Sequence, residues 1–191
     1  LTSVGNLSNW QVGNVIYMSC MFDSCESLIS LNVSNWDTSN VINMSWLFEQ
    51  CYSLETIIGL DTWNVSNVTD MDGIFVEDYE LTTLDISNWS LNSELYTDNY
   101  MFYDNFELDT IIMNNSDYNS VNRIISELPT RESDSMGTLN VAGVDDINQV
   151  NINDAKIKFW TINNFEKIKS IKINNKNINK TKEIFNCIIK E

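Results

Sequence analysis

Serine, threonine, asparagine and aspartate recur along this 191-residue chain, and few of its other residues are equipped for bond-making chemistry. Histidine is absent, which removes the side chain most used for proton transfer near neutral pH and the commonest nitrogen ligand of metals. Catalytic triads and zinc–histidine sites are thereby excluded. The four cysteines, Cys20, Cys25, Cys51 and Cys187, contain no C-x-x-C pair, so a thioredoxin-type redox centre or zinc ribbon has no support. Four thiols in a chain of this length do not make a disulfide scaffold either. Asp70, Asp72, Glu77 and Asp78 put four carboxylates into nine residues, the oxygen ligands that calcium takes, but no D-x-D-x-D-G loop holds them and solvated acidity is the simpler reading. No nucleophile stands with a base and there is no phosphate loop. The expectation is a chain that is not an enzyme and uses no cofactor or metal.

What the polar residues do depends on the elements that hold them, and those elements repeat. Trp10, Trp36, Trp63 and Trp89 are 26, 27 and 26 residues apart; Phe22, Phe48, Phe75 and Phe102 follow at 26, 27 and 27. Leu28, Leu54, Leu81 and Leu108 each come six residues after their Phe. A fixed period in this range is the mark of stacked units. In the clearest copy, residues 27–51, Leu28, Leu31 and Val33 form an L-x-x-L-x-V segment whose last apolar positions alternate, as in a short strand with one buried face. Ser34 to Asn40 (SNWDTSN) is a cluster of turn and capping residues. Val41, Met44, Leu47 and Phe48 then recur at three and four, the spacing of a short helix. One such unit cannot cover both its faces, whereas stacked copies join their strands into a parallel sheet and sandwich rows of Trp, Met, Phe and Leu behind it. The recurring tryptophans are therefore expected in the core.

The unit S-N-W-D-T-S-N-V-x-x-M-x-x-[ML]-F-x-x-C-x-S-L-x-x-L-x-[VI] resembles the BspA-like leucine-rich repeats of the DUF285 family, matched from Ser34 to Ser53 and again over Asn64 to Met71. The fourth copy departs: Trp89 to Phe102 spans 13 residues where the others span 12, and the Met slot falls on Asp98, so a bulged loop is expected there. The resemblance implies an α/β repeat solenoid, a right-handed leucine-rich-repeat superhelix with a parallel sheet on one face and short helices on the other. It also implies surface adhesion or host attachment. Members of this kind often close with a helix ending in Leu-Pro, a G-T-L-x-[VL] strand and an A-K-x-W-T-I segment. Leu128-Pro129, Gly137 to Val141 and Ala155 to Ile162 match these, with Val121, Ile124, Ile125 and Leu128 as the apolar stripe of the helix. The expected division is thus 1–114 repeats, 115–163 a C-terminal capping segment, and 164–191 a Lys-rich appendage of two or three short strands or the start of a further module. Leu1 already fills a strand position with no initiator Met before it, which suggests a chain that begins within a longer polypeptide or after processing.

Charge narrows the partners. Up to residue 150 the only cations are Arg123 and Arg131 against 23 carboxylates, a net of −21; residues 151–191 hold nine lysines and four carboxylates, a net of +5. Such a body repels nucleic acid, whose binding rests on neutralised phosphates, and suits a basic or calcium-bearing partner better; the simpler reading is that acidity keeps an extracellular or virion protein soluble. No apolar run approaches the roughly 18 residues of a membrane span, so direct membrane insertion is not expected.

Aligned repeats put Ser3, Ser30, Thr56, Thr83 and Thr110 in one outward column, with strands about 4.8 Å apart. A second column holds Asn32 and Asp85, and a third Ser8, Ser34, Asp61 and Ser87. Singly, these are ordinary solvated residues; together they form a polar face of the kind that repeat proteins offer to ligands. The candidate site is therefore Ser30, Asn32, Ser34, Thr56, Asp61, Thr83, Asp85, Ser87 and Thr110. Its expected partner is a protein or glycan on a host or neighbouring cell, with display outside a cell. The alternative is a fibre, tail or decoration component of a virus particle that contacts neighbouring subunits. Cys25 and Cys51 share a slot in consecutive repeats, within reach of a disulfide, but a ladder of buried free thiols is the expected arrangement because a disulfide also demands the right side-chain directions. Sequons such as Asn32-Val33-Ser34 follow from the repeat consensus and say little about glycosylation.

Overall fold

A computed structural model describes residues 4, 7–98, 100–132 and 134–163. The strand expectations for Leu1 and 164–191, and the expectations for Ser3 and Cys187, lie outside the described residues. The chain is an α/β fold with parallel sheets and few helices. Its elements are β1 (Ser30–Asn32), β2 (Thr56–Ile58), β3 (Thr83–Asp85), β4 (Thr110–Ile112), α1 (Tyr118–Glu127), β5 (Gly137–Asn140), α2 (Ile152–Ile157) and β6 (Trp160–Asn163). Short 3-10 turns lie at Leu7–Asn9, Leu60–Thr62 and Ile147–Gln149. β1 pairs with β2, and β3 to β6 form a second sheet in chain order, every pairing parallel.

In the three-residue strands β1 to β4 one central residue faces inward: Leu31, Ile57, Leu84 and Ile111 are buried between more exposed neighbours. Behind them run files of aromatic rings. Phe22, Phe48, Phe75 and Phe102 stack in series at 5.6, 5.7 and 5.9 Å between centroids, and Trp10, Trp36 and Trp63 at 5.9 and 6.0 Å. Trp36, Trp63 and Trp89 are buried as expected, while Trp10, at the first repeat, is 47% exposed. A buried indole N–H needs an acceptor, and the preceding repeat supplies it for two of the three: Trp63 Nε1 donates to the Val33 carbonyl at 3.3 Å and Trp89 Nε1 to that of Leu60 at 2.8 Å, while Trp36 Nε1 has no partner among the described residues. Small polar side chains also join neighbours, with Asn40 donating to the Gly13 carbonyl, Asn67 to that of Ser39 and Thr38 to that of Asn64.

The short helix expected in each repeat is not formed. The first α-helix among the described residues is α1; Asn43 is instead bridged in parallel to Tyr17 and Asp70, and residues 45–50 are a run of turns. An α-helix would commit each N–H to the carbonyl four residues back. Here alternate N–H groups leave the repeat: Met44, Trp46, Phe48 and Gln50 donate to the carbonyls of Asp70, Asp72, Ile74 and Val76 at 2.8 to 3.1 Å. Every fourth residue, Trp46 and Gln50 in this copy and Gly73 and Glu77 in the next, has φ between 57° and 62°, which no right-handed helix accommodates. Val41, Met44, Leu47 and Phe48 are nonetheless all buried. Successive turns return to the inside about every three residues, so they produce the same apolar spacing that a helix does.

Trp36 and Trp63 are 27 apart because Gly59 adds one residue between β2 and Leu60. Its φ of 99° favours glycine, and a Cβ there would lie 2.3 Å from the Ser34 Cα. The sheet break between β2 and β3 follows this insertion. In the fourth repeat the extra residue lies between Tyr96, bridged to Asp70, and Met101, whose carbonyl accepts from the Phe75 N–H. That register puts Thr97, not Asp98, in the Met slot, where its hydroxyl donates to Glu127 beside Arg123. In α1, Asp117 caps by accepting from the Ser120 N–H at 2.9 Å, and Val121, Ile124, Ile125 and Leu128 are buried.

Candidate functional site

Pairing register determines which outward residues form a surface. Ser30 lies opposite Thr56, and Thr83, Thr110, Thr138 and Thr161 are successive partners across the second sheet. The first column therefore gains Thr138 and Thr161 beyond the repeats. The T-L-N of Thr138 to Asn140 and the T-I-N of Thr161 to Asn163 resemble the S-L-N, T-I-I and T-L-D triplets of the repeat strands, which was the signal available for them. Ser30, Thr56 and Thr83 are exposed and Thr110 is half-buried.

The second column is Asn32, Ile58 and, in the other sheet, Asp85, Ile112, Asn140 and Asn163. Ile58 is 51% exposed, so an apolar step interrupts the polar row. Asn32 and Asp85 are exposed, but each turns one oxygen back on its own chain: Asn32 Oδ1 accepts from the Ser34 N–H at 3.1 Å and its hydroxyl at 2.8 Å, and Asp85 Oδ1 from the Ser87 N–H at 3.1 Å. These links set the turn that ends each strand.

Ser34, Asp61 and Ser87 lie past the strand ends, in those turns. Ser34 is half-buried, with its carbonyl accepting from the Thr62 hydroxyl at 3.2 Å. Asp61 lies in the Leu60–Thr62 turn, its carbonyl accepting from Asn88 Nδ2 at 3.1 Å. Ser87 is only 7% exposed and its hydroxyl accepts from the Asn114 N–H at 3.2 Å. The structure thus brings Ser30, Asn32, Thr56, Thr83, Asp85 and Thr110 onto the strand face, and puts the other three into the scaffold beside it.

The four acidic residues of the 70–78 segment do not converge. Asp70 accepts from Asn43 Nδ2 at 2.9 Å, Asp72 from the Asp98 N–H at 2.9 Å, and Glu77 from Gln50 Nε2 and the Tyr79 hydroxyl, each at 3.3 Å. Among the described residues no three ligating side chains stand close enough to hold a metal ion. Asp78 points inward, in the slot that Cys25, Cys51 and Asn105 occupy in the other repeats. Its Oδ1 accepts from the Cys51 N–H at 3.1 Å, its Oδ2 has no partner, and burial pushes its carboxyl well above the usual range. Cys20, Cys25 and Cys51 are free thiols. Cys51 donates to the Phe22 carbonyl at 3.1 Å, and burial, with the Asp78 charge second, raises its pKa far beyond the ordinary thiol value.

A cleft of about 640 Å³ opens between the fourth repeat and residues 126–135, with Tyr103, Phe106, Arg131 and Lys158 among its walls. Its cations are occupied: Arg131 donates to the carbonyls of Leu108 and Ser135, and Lys158 Nζ to those of Ser126 and Leu128 at 2.6 and 2.8 Å. What the arrangement offers chemically is hydrogen bonding from ordered hydroxyls, with no activated nucleophile beside them.

No curated protein and no solved structure matches the chain. A family described as "Mycoplasma protein of unknown function, DUF285" matches residues 2–114, the stretch that carries the Trp, Phe and Leu files and the strands β1 to β4. With more than half its length so matched, the chain belongs to the DUF285 family.

Proposed function

We propose that this chain is a non-enzymatic binding module, a BspA-like leucine-rich-repeat solenoid of right-handed coils over residues 1–114. In this reading residues 115–163 cap the stack, and the module is displayed outside a cell, where its strand face takes a protein or glycan. The observation that carries the reading is the in-register column of outward hydroxyls, Ser30 with Thr56 and Thr83 through Thr110 and Thr138 to Thr161. Their spacing is fixed by backbone pairing, so little side-chain entropy is lost when a ligand engages several at once. Many modest contacts give affinity that falls in steps as members are removed.

The test is binding of the labelled full chain to a glycan array and to intact cells, compared with a variant carrying Thr56→Lys, Thr83→Lys and Thr110→Lys. Near-ultraviolet circular dichroism of the buried indoles reports whether the fold survives. A folded variant should lose every ligand that the unaltered chain retains. Retention of those ligands at unchanged strength would assign them to another face.

A further inference from the structure

Next to the interior Cys51 slot the repeats carry a second aromatic file, on the outside. Tyr52 and Tyr79 stack at 5.1 Å and 5°, and Tyr79 and Phe106 at 6.1 Å and 21°. Phe106 is 68% exposed. Stacked rings inside the molecule are explained by packing; this file faces water along one edge, with Tyr103 also exposed at its end.

Carboxylates flank it. Glu77 accepts from the Tyr79 hydroxyl and from Gln50 Nε2, and Ser24 joins Asp23 at 2.7 Å to Gln50 at 3.4 Å. The charges are near enough to disturb one another. Partial burial, then Asp23 and Glu77, raise the Glu49 carboxyl. Lost hydration, then Glu77, Glu26 and Glu49, raise the Tyr52 phenol; lost hydration, Glu77 and Asp104 act on Tyr79. Among the described residues the one ion pair is Arg123 with Glu127, so no described cation pairs with the carboxylates of this strip. The only described cations near its Phe106 end are Arg131 and Lys158, both bound to carbonyls in the cleft.

We propose that Tyr52, Tyr79 and Phe106, with Glu49, Glu77 and Asp104 beside them, form a docking strip for an arginine-rich segment of a protein partner. A guanidinium is planar, weakly hydrated and permanently charged, so it stacks on a ring face while donating to an adjacent carboxylate. A lysine ammonium satisfies the charge but stacks less well. The strip is distinct from the strand face and does not depend on it.

Titration calorimetry of the full chain with acetylated hexa-arginine amide and hexa-lysine amide, at low and physiological salt, tests this. Hexa-arginine should bind at least fivefold tighter than hexa-lysine, and Phe106→Ser, which leaves net charge unchanged, should erase most of that preference. Glu49→Gln with Glu77→Gln should weaken hexa-arginine tenfold or more, against less than threefold for Asp37→Asn with Glu94→Gln, which removes the same charge at exposed positions outside the strip. Equal affinity for the two peptides, with Phe106→Ser silent, would overturn the proposal. So would equal losses from the two charge-removing pairs, which would reduce the effect to overall acidity.

Discussion

Replacing Asp78 by Asn should stabilise the protein, and increasingly so as pH rises. Two groups in this interior slot donate toward the Phe carbonyl of the preceding repeat: Cys51 Sγ to Phe22 and Asn105 Nδ2 to Phe75. Asp78 can join them only through a protonated Oδ2, and that oxygen is buried with no other partner. Its Oδ1 is committed to the Cys51 N–H, and its own N–H donates to Asn105 Oδ1 at 2.8 Å. An uncompensated charge in such a place is far more costly than a neutral acid, in accord with the direction in which burial moves its pKa.

The native state therefore keeps a proton that the unfolded chain releases near the ordinary carboxylate value of about 4. This contribution is fully present below that value and is lost as pH rises toward the raised native pKa, at up to about 1.4 kcal/mol per pH unit. Asn keeps the acceptor and supplies a permanent donor. Urea unfolding of both proteins, followed by fluorescence of the buried tryptophans between pH 4.5 and 7.5, isolates the group because the other carboxylates cancel. The stability difference should widen in favour of Asp78→Asn from the acid end of this range, by up to about 1.4 kcal/mol for each unit, and level off once the raised native pKa is passed. Cys51 does not interfere, since burial moves its titration up and out of this range. A difference that stays flat across these pH values would mean that Asp78 is already charged in the folded protein, and would refute the reasoning.

Three further outcomes follow from the packing. Phe48, fully buried between Phe22 and Phe75 and near Trp63, should cost about 4 to 5 kcal/mol as Phe48→Ala, whereas the exposed file end Phe106→Ala should cost about 1 kcal/mol or less in the same urea titration. Gly59→Ala should cost about 3 kcal/mol, because the added carbon meets the Ser34 backbone and φ is 99°; a neutral result would mean that the inserted residue is not held against that strand. Asp117→Ala should remove about 1 kcal/mol, the loss of an N-cap. Although burial opposes it, Ser120 holds the Asp117 carboxyl below its usual value, so its stabilisation is present above the ordinary carboxylate range and lost as pH falls through the lower native one. Thermal melts of the two proteins should thus converge in acid.

Much of this architecture was legible in the chain because burial repeats with the residues. The Trp, Phe and Leu files identified the unit, and each L-x-x-L-x-V segment produced a strand with its middle residue inward. The helix was misread for a physical reason. Val41, Met44, Leu47 and Phe48 report only how often the chain returns to the interior, and successive turns bonded to the next repeat return as often as a helix does. The contrary signal was thinner: Asn43 and Ser45 in this copy and Asp70, Asp72 and Gly73 in the next, residues that favour turns over helix interiors. At the candidate surface, Ser30, Thr56, Thr83 and Thr110 fell into register because they share a strand position. Ser34, Asp61 and Ser87 did not reach the face because the strands stop two or three residues earlier, with Asn32 and Asp85 folding back on the chain. The outer Tyr52, Tyr79 and Phe106 file has the same period as the tryptophans. Its exposure could not be known until the interior slot beside it was assigned to Cys51 and Asp78.

The contact between consecutive repeats is accessible to one experiment, a nuclear Overhauser spectrum of the isotopically labelled chain. Leu84 and Ile111 should show cross-strand backbone signals, and Met44 and Phe48 amides should show them to residues around Asp70 and Ile74, 26 or 27 positions away. Medium-range helical connectivities through residues 41–50, with those long-range signals missing, would contradict the stacked architecture on which the strand face depends.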